Sequence, residues 1–200
     1  MATIEVEQVV LRERQARDRG WWDRMGECFA VDSRVRLSWF DGSGADFVTG
    51  SRRMAAGGTA SRHRNSPPVA EVRGDRAVVE LPTAIEIRTE IDGVEVDLTS
   101  YARLVYRVER RGGRWLIVSL DAVYERDTMV PTVPGTVWPG AATAFARFRP
   151  SYRMLAYLVE TMGYPLDPDL YGDDRPEVTA GFYRELFGWL AVPESELIAR

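Results

Sequence analysis

His63 is the only histidine in this chain of 200 residues, and imidazole is the one side chain whose ordinary pKa lets it take up and release a proton near neutrality. General acid-base work also needs a carboxylate to orient the ring, and Asp18 is available for that. A solvated histidine between Arg62 and Arg64, and an exposed aspartate just before Gly20, are the competing readings. Asp121 is the third catalytic candidate, because it interrupts the apolar run "WLIVSLDAV" and would have a raised pKa if it faces inward. With regular alternation Asp121 shares a side with Trp115, Ile117, Ser119 and Val123. Both sides of that strand are apolar, so a buried subunit contact accommodates it equally well. Glu13 and Arg17 stand four residues apart on an apolar helix face, as a polar patch in a pocket or as a structural ion pair. Tyr101 and Arg103 share one strand face and present either a hydroxyl and a guanidinium to a ligand or a cross-strand pair to the outside. Trp22, Trp39 and Tyr124 are the candidate pocket walls among aromatics that are otherwise core.

Whole chemistries are excluded by composition. All 26 basic residues are arginine, so there is no lysine for a Schiff base, a pyridoxal phosphate anchor or a phosphate-binding loop. One histidine rules out two-histidine metal sites, and no cofactor is expected. Cys28 is a lone cysteine beside Phe29 and reads as a small buried hydrophobe. A net charge of -4 argues against nucleic acid. No apolar run is long enough to span a membrane, and the N-terminus is too charged for a signal peptide, so a cytoplasmic location is expected. Arginine in place of lysine reads as the coding bias of a GC-rich bacterial genome.

The elements that must position these residues follow from periodicity and turns. Helices are expected over 4–18 and 21–30, with Val6, Val9, Val10 and Ala16 on one face and Gly20 as the break. "VRLSWF", the turn "DGSG" and "ADFVTG" read as two short strands around a hairpin. Residues 51–66 read as a polar stretch with room for a short helix. Four β segments, 68–73, 76–91, 94–110 and 114–126, are separated by Gly74-Asp75, Asp92-Gly93 and Arg111-Gly112-Gly113, which implies antiparallel hairpins. After a proline- and glycine-rich connection, helices are expected over 141–149, 151–162 and 176–191. The fold class is α+β: a cone-shaped, curved antiparallel sheet wrapped around the N-terminal helices, with a C-terminal helical extension. A pocket domain is expected over 1–130, and a linker with a helical extension over 131–200.

The order "DRGWWDRMGECFAVDSRVRLSWFDGSG", then "RHRN", "GDRAVVEL" and "YARLVYRVERRGGRWLIVSLDAVYERD" resembles the SnoaL-like branch of the nuclear transport factor 2 superfamily, over roughly residues 5–130. That superfamily holds ketosteroid isomerase, scytalone dehydratase, polyketide cyclases, epoxide hydrolases and domains without chemistry. The resemblance therefore implies a fold and a pocket for a small apolar molecule, and not one reaction. Among these relatives the residues are most similar to scytalone dehydratase, with Asp18 at its aspartate position and His63 at its histidine ahead of the long strands. Arg17 replaces a tyrosine, and the second histidine expected on 76–91 is absent, which points away from the same dehydration mechanism, leaves a related acid-base reaction open and favours a domain without chemistry.

Two functions follow as expectations. One is a cofactor-independent dehydratase, isomerase or cyclase acting on an apolar, polycyclic or polyketide-like metabolite, with His63, Asp18 and Asp121 as its catalytic groups. Arg17, Trp22, Trp39, Tyr101, Arg103 and Tyr124 would bind the substrate. The other is a non-catalytic binding or accessory domain. A homodimer formed partly by the outer face of the sheet is expected. The last helix, with Val178, Phe182, Leu186 and Leu190 at a spacing of four, is expected to dock as a lid or on the partner subunit.

Overall fold

A computed structural model describes residues 2–58, 61–137 and 142–191. The first helix, α1 (Ala2–Arg19), buries Val6, Val9, Val10, Glu13, Arg14 and Ala16, the stripe its apolar spacing sets out plus two charged neighbours. The second helix is a single turn, α2 (Trp22–Gly26), because Phe29 and Ala30 already belong to strand β1 (Phe29–Leu37). The chain turns at Ser38-Trp39 into β2 (Phe40–Ser43). "ADFVTG" is helical and not a strand. Ser43 caps α3 (Gly44–Ala56), its hydroxyl accepting from the Asp46 amide at 3.1 Å, and the Ser-x-x-Asp spacing is the capping-box signal that marks such a start.

The polar stretch before the prolines ends in a strand, β3 (Ser61–Asn65), which carries His63. It and β4 (Val69–Arg73) pair antiparallel with successive halves of β5 (Arg76–Ile91). β5, β6 (Val94–Arg111) and β7 (Arg114–Pro131) then form the meander that the turn residues imply. At the β5–β6 turn Asp92 and Gly93 both take positive φ, 53° and 75°, the pair of left-handed residues that a tight hairpin requires. The sheet runs β2-β1-β7-β6-β5-β3 and stays open; its one departure from antiparallel order within that series is β1 lying parallel to β7.

Alternation along the strands sorts two cores. Val79, Leu104, Tyr106, Leu120, Ala122 and Tyr124 face inward, where α1 lies. Val78, Val105 and Val123 face outward. The pairing of β6 with β7 slips between Arg107 and Val108 and again between Tyr101 and Ala102. The first slip turns Trp115 and Ile117 to the inner core, so they do not share a side with Asp121.

After α4 (Ala142–Ala146) the C-terminal segments divide between the two faces. α5 (Arg153–Thr161) closes the inner face, and its first amides, of Met154 and Leu155, donate to the Asp127 carboxylate at 2.7 and 2.8 Å. A two-residue strand, β8 (Tyr171–Gly172), lies beside β7. α6 (Pro176–Ala191) lays Phe182, Leu186 and Leu190 on Val78, Val105 and Val123, each burial contributing about 1.5–3 kcal/mol. Val178 is exposed and Thr179 takes the buried position instead. The last helix therefore docks on the outer face, the face expected to carry a dimer contact, and α5 sits where a lid was expected. Residue 141, at the expected start of the first C-terminal helix, and residues 192–200 lie outside the described residues.

Candidate active site

The inner core leaves a cavity of about 50 Å³ between the C-terminal half of α1, β3, the Ser38-Trp39 turn and α5. Its polar end holds Arg14, Arg17, Ser61 and His63. The remainder is mostly apolar, with Leu37, Ile85, Ile87 and Leu104 from the sheet and Leu155, Leu158, Val159 and Met162 from α5 and the residue after it.

Asp18 and His63 meet at the rim of this cavity. The Asp18 carboxylate takes two hydrogen bonds from the same residue, from His63 Nδ1 at 2.6 Å and from the His63 backbone amide at 2.7 Å. Helix α1 supplies the carboxylate from its last turn, and β3 presents both donors because it runs along β5 beside that turn. The imidazole is 4% exposed. With Nδ1 donating to Asp18, Nε2 carries the lone pair, and it accepts from Arg14 Nη1 at 3.3 Å. Burial lowers the His63 pKa to about 4, and the Arg14 and Arg17 cations push the same way against the Asp18 hydrogen bond. For Asp18, burial works upward but the bonds from His63 outweigh it, so the carboxyl stays below its ordinary value. At neutral pH the pair is a neutral imidazole on a carboxylate. The ring's titration therefore lies well below the neutral range that its unperturbed chemistry suggests.

Behind the pair lies a fully buried ion pair. Glu13 accepts from Arg14 through both carboxylate oxygens, and Tyr106 OH also donates to Glu13 at 3.3 Å. A buried carboxylate needs a cation with a matching fork, and the adjacent Arg14 supplies it, so Glu13 is not paired with Arg17. Arg17 instead donates from Nη1 to Ser61 Oγ at 2.6 Å and lies over the Trp39 and Phe47 rings at 5.7 and 5.8 Å. Tyr124 OH accepts from the Ser38 amide at 2.9 Å, and burial moves its pKa up to about 12.

The structure thus brings together Asp18, His63, Arg17, Trp39 and Tyr124, and separates the rest. Asp121 stands opposite Val105 on the outer face, 3.7 Å from Arg107, and burial there raises its pKa to about 6. Arg103 lies on the same outer face between Glu80 and Glu125, at 2.6 and 2.8 Å, and Tyr101 has Arg126 over its ring at 4.1 Å. Their parity with Val105 puts them outside, because the inner positions of β6 are taken by Ala102, Leu104 and Tyr106. Trp22 packs beneath Gly20, away from the cavity. Arg14, Ser61 and the α5 residues were not among the sequence candidates. The α5 set had a readable signal, an apolar spacing of three, four and seven from Leu155.

A family model described as the SnoaL-like domain matches residues 2–121. Pea pathogenicity protein 2 of Fusarium vanettenii is 29% identical over 94% of this chain and 85% of that protein. This relative is fungal, and it lends no support to the bacterial origin expected from the arginine-only composition. Two solved structures share the fold. A hexachlorocyclohexane dehydrochlorinase, LinA type 2, has a TM-score of 0.56 at 14% identity, covering 70% of this chain and 94% of the other. A putative scytalone dehydratase from Novosphingobium aromaticivorans has a TM-score of 0.51 at 18% identity, covering 69% and 93%.

Proposed function

The chain belongs to the SnoaL-like domain family, and from that premise we propose that it is a cofactor-independent acid-base enzyme acting on a small apolar molecule, with His63 as the proton carrier. The observation that carries this reading is the buried His63 imidazole at the wall of a mostly apolar cavity, held by the half-buried Asp18 carboxylate. His63 Nε2 takes a proton from the substrate, and the electron pair left behind either shifts along the substrate skeleton or expels a leaving group. Those two outcomes are isomerisation and elimination. Asp18 holds Nδ1–H and stabilises the imidazolium as it forms. Tyr124 has its oxygen engaged by Ser38 and keeps its own proton to donate. Arg14 must release Nε2 for the step, since a protonated ring has no lone pair for it. Asp121 takes no part.

The test is deuterium incorporation into apolar carbonyl and hydroxyl compounds in D₂O, followed by NMR. His63→Ala should slow exchange by about 10² to 10⁴ with the fold intact. Exchange that persists unchanged without His63 sinks the proposal. A binding role without chemistry is the second reading, and it draws on the cavity's small volume and on the hold Arg14 has on Nε2. Ligands that bind without exchanging in the unaltered protein would establish it.

A further inference from the structure

We propose that Arg17 is the anchor for a carboxylate, and that the molecule this cavity takes is an apolar monocarboxylic acid bound as its anion. The inference rests on the reading of the cavity as a ligand site and specifies which ligands it takes.

Charge accounting at the polar end of the cavity carries the argument. Two carboxylates and two guanidinium groups converge there, but they are not paired two by two. Glu13 is taken by Arg14 through both oxygens. Asp18 has its two oxygens on the ring and amide of His63. Arg17 is left with one hydrogen bond, from Nη1 to the neutral Ser61 hydroxyl, and its Nε is buried with no acceptor among the described residues. No carboxylate among the described residues pairs with it. A buried donor without an acceptor costs free energy, and a guanidinium held only by a hydroxyl and two aromatic faces, Trp39 and Phe47, is incompletely compensated. Burial first, and Arg14 second, lower the Arg17 pKa to about 10, so the group is still a cation at neutral pH.

The charge and the free donor of Arg17 select the partner. Nη1 is committed to Ser61, and the remaining Nε edge of the fork matches an acceptor with two coplanar oxygens, which is a carboxylate. A neutral carbonyl would leave the cation uncompensated. A phosphate dianion would bring one charge too many, because Arg14 is already neutralised by Glu13. The apolar part of the ligand would face Leu37, Ile85, Leu104 and the α5 residues Leu155 and Leu158.

The experiment measures binding and not turnover, so it is independent of whether His63 does chemistry. Benzoate, cinnamate, 2-naphthoate and octanoate are titrated by calorimetry against the unaltered protein, each beside its uncharged amide. The acids that bind should do so about 10- to 100-fold more tightly than their amides, the worth of hydrogen bonds to a charged group. Arg17→Gln should bring acid and amide to equal affinity, and Arg17→Lys should keep part of the preference by restoring charge without the fork. The preference is read in the unaltered protein whether or not that protein exchanges deuterium, which separates the two proposals. The inference is overturned if no acid binds above its amide, or if the preference survives in a folded Arg17→Gln protein. Thermal melts of the Arg17 variants check folding, and removal of a half-compensated buried cation in Arg17→Gln should not lower stability.

Discussion

Both faces of the central sheet hold buried or half-buried charge, and the two faces differ in how completely it is matched. Outside, Arg103 bridges Glu80 and Glu125, Tyr183 donates to Glu80 at 2.5 Å, and Arg107 faces Asp121. Inside, one arginine is fully matched, one is not, and the only imidazole is held neutral. Charged residues under a sheet therefore do not mark a site by their presence. What separates a structural network from a reactive one is the remainder after partners are assigned, and the remainder is on the inside.

Breaking the best-matched pair should have the largest effect on stability. Glu13→Ala strands the Arg14 guanidinium in the core and should cost about 3–5 kcal/mol, read from urea unfolding. A loss under 1 kcal/mol would mean that water or Asp18 takes over the pair.

The second prediction sets the faces against each other through pH. The His63 pKa falls from 6.5 to about 4 on folding, so between those values the unfolded chain binds the extra proton and stability drops as the solution is acidified. Asp121 rises from 3.8 to about 6, so over nearly the same window the native state binds the proton and acidification stabilises. In the unaltered protein the two slopes oppose each other between about pH 4 and 6. Asp121→Asn should uncover the His63 slope, up to about 1.4 kcal/mol per pH unit and roughly 3 kcal/mol in total. His63→Ala should reverse the sign. Parallel stability curves in the two variants would show that one of these groups is not perturbed as described.

The smallest effect should come from the outer arginine. Arg103→Ala removes a partly exposed bridge and should change stability by less than about 1 kcal/mol. Neither it nor Asp121→Asn should alter deuterium exchange or the acid-over-amide preference.

The sequence disclosed the meander through its glycine turns and α1 through the spacing of Val6, Val9 and Val10, because those signals are local. The burial of Glu13 was legible on the helical wheel, but its partner was not. The wheel favours residues four apart, and Arg14 won by fitting both carboxylate oxygens. Asp121, Tyr101 and Arg103 stay open between a pocket and an outer-face reading because strands apolar on both sides give no sign of which side is inner, and for Asp121 a register slip also breaks the count along β7. The meeting of Asp18 and His63 came from resemblance and not from spacing, since 45 residues and the strand that carries the ring lie between them.

Helix α5 also sets how fast the cavity fills and empties. The cavity under α5 is about 50 Å³, smaller than a ligand of ten or more heavy atoms, so taking up such a ligand as proposed requires the cavity to widen, and α5 is the wall that closes it. Asp127 holds the amides at the start of α5, which favours a swing of the whole turn-and-helix unit over unwinding from that end. Measured affinity is then the intrinsic affinity reduced by the fraction of molecules that are open. The apparent association rate constant should fall by that same fraction, and the observed binding rate should saturate at the opening rate as ligand is raised, while dissociation from the open conformer keeps its intrinsic rate.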